Sequence, residues 1–244
     1  MRTPIMWLML LVPAAGTAYH YGPGQARLAL DQASVQLRQA EEHIRHERFS
    51  AAISAYDAAL SHIPADRVEL VRSVRLERAK AHLQNHGLSE AYDELTALKE
   101  EVDAAGALVP PEFATDLRGT MAQAQYYMTW LMRLEGESRE QWEPDVEAAR
   151  QNYKLLADSA RSAGDDQQTA RFEGDLEAAV RLARLDLSEL QGLPLPKQCQ
   201  GCCSGNCKCK GKGKGKGRNP NKGEQKPEDA RGAGSGPPPD EKGS

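Results

Sequence analysis

A chain of 244 residues with 35 acidic and 31 basic side chains, a net charge of −4, has room for one or two domains. Its five cysteines all fall between Cys199 and Cys209, so no disulfide framework runs through the rest of the chain. The charge is shared unevenly. Gln25 to Pro196 carries 30 acidic and 19 basic residues, a net of −11, whereas Lys197 to Lys226 carries a net of +8. An acidic body followed by a basic tail implies two functions, or a tail drawn back onto its body by salt-screened attraction.

Residues 1–18 have the layout of a secretory signal peptide. Arg2 is the one early charge, an apolar run extends from Ile5 to Ala15, and Gly16 and Ala18 precede Tyr19 as a cleavage site. A membrane-spanning helix needs about twenty apolar residues, more than this run supplies, and Pro13 would disturb a span. The expectation is an exported protein, periplasmic or secreted, with an uncleaved N-terminal membrane anchor as the alternative. Residues 19–25 read as a linker.

From residue 26 to 192 the composition is helical, dominated by Ala, Leu, Glu, Arg and Gln, with no alternating strand pattern. The first helix is expected from about Ala26 to His46, with Leu30, Leu37, Ala40 and Ile44 on one face. The second runs from Phe49 to His62 and buries Ala52, Ile53, Tyr56 and Leu60; Pro64 closes this hairpin. Asp66 with Glu69 forms a capping-box pattern for the third helix, which Gly87 ends. The fourth spans Ser89 to Ala104 and buries Ala91, Leu95 and Leu98. Pro110-Pro111 opens a fifth helix to about Leu134, carrying Tyr126, Tyr127 and Trp130. Pro144 fits the first turn of a sixth, extending to Ala163. Gly164 stops that helix, and Asp165 with Gln168 starts a seventh whose stripe from Phe172 to Leu190 is continuous.

The stretch from Glu47 to Leu60, with small residues at Ala40, Ala52 and Ala59 and aromatics at Phe49 and Tyr56, resembles the tetratricopeptide repeat, a helix–turn–helix unit of roughly 34 residues. Ala79, Leu88, Ala91, Leu95 and Leu98 repeat the pattern 39 residues later, with a connection longer than the family norm. The third hairpin resembles the family in topology only. The resemblance implies an all-α solenoid of about three hairpins plus a capping helix, a TPR-like domain over 26–192 that binds proteins through its concave face. By that register Ser34, Leu37, Glu41 and Arg45 of the first helix, with Leu76, Lys80 and Gln84 of the third, line the groove. Leu37 and Glu41 depart from the lysine and asparagine of family members that clamp a terminal carboxylate. A mixed groove for an extended segment or a helix remains. Exported proteins of this family often serve envelope assemblies, which makes such an assembly the expected protein partner.

The same register sets His43 beside His82 and His46 near His86, a second metal candidate for Zn or Cu; the plainer reading is packing and helix-end complementarity. Tyr126, Tyr127, Trp130 and Trp142 read as core, because Tyr126 and Trp130 lie four apart on one helical face. No nucleophile elbow, phosphate-cradling glycine loop or HExxH is present, so the chain is not read as an enzyme.

Residues 193–244 read as a disordered tail rich in Cys, Lys, Gly and Pro. Cys199, Cys202, Cys203, Cys207 and Cys209 sit among so few apolar residues that they are expected to serve as disulfides or as ligands of Zn or Cu(I), not as packing groups. This gives the second functional reading, a metal-binding or thiol-redox protein acting through its tail. Lys208, Lys210, Lys212, Lys214, Lys216 and Arg218 alternate with glycine, which precludes a helix and suits an anionic surface. The absence of interleaved aromatics, together with export, argues against nucleic acid.

Overall fold

The computed structural model describes residues 23–199, with side chains from Arg27 onward. Residues 1–18, read above as a signal peptide, the four cysteines from Cys202 to Cys209 and the Lys-Gly run lie outside the described residues. Within them the chain is all α, with eight helices, two short 3-10 turns and no strand. No described helix is long and apolar enough to cross a membrane.

The described chain divides after Ala81 into two units. The first contains α1 (Pro23–Arg45), α2 (Phe49–His62) and most of α3 (Val68–Gln84). Its core is built from small residues that let helices approach closely: Ala33, Ala40, Ala52 and Ala55 surround Tyr56, with Ile63, Val74 and Ala81 completing the cluster. Leu37, Ile44, Ile53 and Leu60 seal its edges. Arg78 of α3 reaches Asp57 of α2 at 2.6 Å across the unit's surface.

The second unit holds α4 (Leu88–Ala105), α5 (Pro111–Leu134), α6 (Arg139–Ser162), α7 (Asp166–Arg184) and α8 (Leu187–Gly192). Each helix from α4 to α6 packs on its successor, and α5 also meets α8 and the 3-10 turn Lys197–Cys199. Position in this stack explains α5. Every residue from Thr120 to Leu131 is buried, as a helix enclosed by neighbours requires. Three of its polar members are satisfied locally or across the stack. Thr120 and Thr129 donate to the carbonyls of Asp116 and Gln125, and Asn152 of α6 donates to the Gln125 side chain at 3.3 Å.

The four long helix ends share one device, in which a left-handed residue lets the chain double back on the helix's last carbonyls. After α1, Glu47 (φ 54°) is left-handed and the Arg48 N–H donates to His43 O at 2.8 Å. After α3, His86 (φ 62°) is left-handed and the Gly87 N–H donates to His82 O at 2.8 Å. Gly136 and Gly164 do the same after α5 and α6. The break after α3 is therefore made by His86 and not by Gly87, which the expectation named. Gly87 is needed for another reason: a Cβ there would stand 2.9 Å from His82 Nδ1.

Two boundaries also differ from expectation. The sixth helix starts at Arg139, where the Ser138 N–H is taken by Gln141 Oε1 at 3.0 Å, and Pro144 lies inside it instead of in its first turn. The stripe expected to run unbroken to Leu190 ends at Arg184. Leu185 turns extended, and Asp186 with Glu189 caps a separate short helix. The Asp165 cap of α7 stands as expected, accepting from the Gln168 N–H at 2.9 Å.

Candidate functional site

In the first unit α1 and α3 carry the expected groove positions. Glu41 and Arg45 are exposed, and Ser34 and Lys80 are half-buried. Ser34 Oγ donates to Asp31 O at 2.8 Å and accepts from Arg38 at 3.4 Å. Lys80 pairs with Glu77 at 2.8 Å. Leu37 packs against the core cluster. Leu76 departs from expectation: at 2% exposure it is a core residue and presents nothing to a partner. Gln84 belongs to the second unit. Electrostatically the face is acid-marked. Burial, then Glu77 and Glu41, push the Tyr56 hydroxyl up to about 12. It can offer a partner alternating acid and base, with Leu37 at its edge.

His43 and His46 belong to the first unit, and His82 and His86 to the second. Their repeat register is real, since the carbonyls of His43 and His82 close equivalent turns, but that is a backbone role. His86 is committed elsewhere, its Nδ1 lying 2.5 Å from Lys197 O. Among the described residues no three His, Cys, Asp or Glu side chains stand where one metal ion could be held.

The aromatic cluster is core, as its spacing implied. Tyr126, Tyr127 and Trp130 are buried and Trp142 is half-buried, with the two tyrosine rings meeting edge-on at 5.4 Å. Burial raises the pKa of all three buried tyrosines of this unit, Tyr126, Tyr127 and Tyr153, with the buried Asp175 carboxylate adding to each rise.

Arg133 is a residue the sequence reading missed. Its guanidinium is buried, donates to the carbonyls of Leu182 and Leu185, the latter at 2.5 Å, and lies 4.8 Å from the Trp142 ring centroid. It therefore terminates α7 with a cation, favoured at a helix C-terminus, while stacking on an aromatic face. Burial lowers its pKa, and Asp186 partly offsets this. The one usable sequence signal was an arginine three residues past Trp130 in an otherwise apolar run. Tyr92 and Asp145 were missed as well. The Tyr92 hydroxyl donates to Asp145 Oδ1 at 2.6 Å, linking α4 to α6.

Cys199 overturns the expectation that no thiol of the tail packs. It is fully buried in a 3-10 turn against α5, and its Sγ lies 3.7 Å from Tyr127 O as donor. The end of the segment from Leu193 to Cys199, assigned to the tail, instead packs on α5, and the segment's alternating Leu and Pro supply apolar side chains. Comparison with protein-family models, with curated proteins and with solved structures finds no match for this chain.

Proposed function

We propose that this chain is an exported protein–protein interaction scaffold built from TPR-like helical hairpins. A partner segment is held on the α1/α3 face through Glu41, Arg45 and Lys80, with the chain beyond Cys199 as a second contact. The observation that carries this reading is the recurrence of one hairpin turn at the register of the side-chain pattern. Glu47 and His86 are 39 residues apart and both left-handed, and the next residues share φ/ψ of −89°/62° and −95°/56°. The same offset relates Ala40, Ala52, Tyr56 and Ala59 to Ala79, Ala91, Leu95 and Leu98, all buried. A unit repeated in both backbone and core is the building block of binding solenoids.

The test is affinity capture from envelope extracts with three proteins: the mature chain, a chain ending at Cys199, and a Glu41→Lys/Lys80→Glu variant. Capture by the first two and loss with the third places binding on the α1/α3 face. A partner captured equally by all three would remove the face from the mechanism, and one lost only on truncation would move function to the cysteine and lysine tail.

A further inference from the structure

Within the second unit, α5, α7 and the segment Leu193–Lys197 enclose a cavity of about 350 Å³. This lies at the small end of the range that holds small molecules. Its inner wall is aromatic, formed by Tyr126 and Trp130. The outer wall contains Pro194 and Pro196, which lack an N–H and so bring no unmet backbone donor to an apolar surface.

Two further features point to an occupant. Gly174 lies inside α7, where glycine costs about 1 kcal/mol relative to alanine. No positive φ demands it, and a Cβ there would meet nothing within 4 Å. It lines the cavity at an exposed position, where a larger side chain would share that space. The second feature is the aromatic wall itself: Trp130 is buried, and its side chain lies close enough to the Tyr126 hydroxyl to offset part of the rise that burial imposes there. The charged residues of the lining are Arg181, Lys197 and Glu177, the last paired with Arg181 at 3.3 Å. They leave one net positive charge.

We infer that this cavity binds a medium-chain apolar carboxylate. The alkyl part would lie against Tyr126, Trp130 and the proline wall, and the carboxylate would sit at Arg181 and Lys197. The shape and the apolar walls select the chain, and the net charge selects an anion over a cation of the same length. This site is independent of the α1/α3 face.

The test is calorimetric titration of the full chain with decanoate, octanoate and decylamine. Expected are one decanoate per chain, octanoate weaker by about tenfold for its two missing methylenes, and no binding of decylamine. Arg181→Gln should weaken decanoate about tenfold. Gly174→Leu should abolish binding while melting no lower than the parent, because leucine is the better helix former at this exposed position. Absence of decanoate binding at millimolar concentration would overturn the inference. So would equal binding of decylamine, or a Gly174→Leu variant that binds as the parent does.

Discussion

At the scale of single residues, backbone conformation and buried polar groups decide most of the consequences. Glu47 and His86 occupy left-handed conformations that glycine adopts freely and other residues adopt at a cost. Glu47→Gly is expected to raise unfolding free energy by about 1 kcal/mol, read by urea denaturation; a loss would mean that the exposed side chain contributes more than the strain it carries. Arg133 is the opposite case, a buried cation whose fork fits two carbonyls and one ring. Arg133→Ala strands the α7 carbonyls and should cost about 3 kcal/mol. Arg133→Lys should recover little, because an ammonium cannot span both carbonyls and stack as well. Cys199 is fully buried. In the native reduced chain, alkylation followed by peptide mass mapping should spare Cys199 until denaturant is added. Rapid native labelling of Cys199 would show that its turn is not held against α5.

At the scale of elements, the question is what sets where helices stop and how they pair. Caps legible in the sequence did much of this: Asp165 with Gln168 starts α7, and Pro111 starts α5. The break at Leu185 was less legible, because the apolar stripe continues through it. It forms because Asp186 and Glu189 cap a new helix and Arg133 takes the carbonyls left behind. Pairing of α4 with α6 rests in part on Tyr92 and Asp145. Burial holds the Asp145 carboxyl above the usual carboxylate range, and the Tyr92 hydroxyl partly offsets the rise. A carboxyl with a raised folded pKa contributes stability that is full below its unfolded pKa, about 3.9, and is lost as pH rises through the folded value. Asp145→Asn keeps an acceptor for Tyr92 without the charge. It should therefore gain on the parent as pH rises above about 4, and match it in more acidic solution. Denaturation curves at the two extremes check the sign, and a variant that gains most in acid would reverse the assignment. Tyr92→Phe should cost about 1–2 kcal/mol, since it removes a donor from a half-buried carboxylate.

At the scale of the whole molecule, the helical part does not stop where composition alone places its end. A chain ending at Cys199 should keep the thermal unfolding of the full protein. A chain ending at Pro196 loses a buried thiol and the contact between His86 and Lys197, and should be less stable by about 1–3 kcal/mol. Among the described residues the tryptophans, Trp130 and Trp142, both lie in the second unit. The loss should accordingly appear in the tryptophan fluorescence transition. Identical transitions for the two truncations would remove Leu193–Cys199 from the folded unit.

The sequence by itself determined the helical class, the hairpin register and most caps, because these depend on local periodicity and on groups a few residues apart. Ala40 and Ala79, or Asp165 and Gln168, act at separations the helix itself fixes. Tertiary structure alone decided the rest. Leu76 is core and not groove, Arg133 ends a helix some fifty residues downstream in sequence, and Cys199 packs beneath a segment that composition assigns to the tail. The Arg133 and Cys199 contacts join residues 49 to 72 positions apart, and no short-range pattern encodes which distant surface a side chain will meet. Burial of an arginine or a cysteine is a property of its neighbours in space, and those neighbours exist only once the helices have stacked.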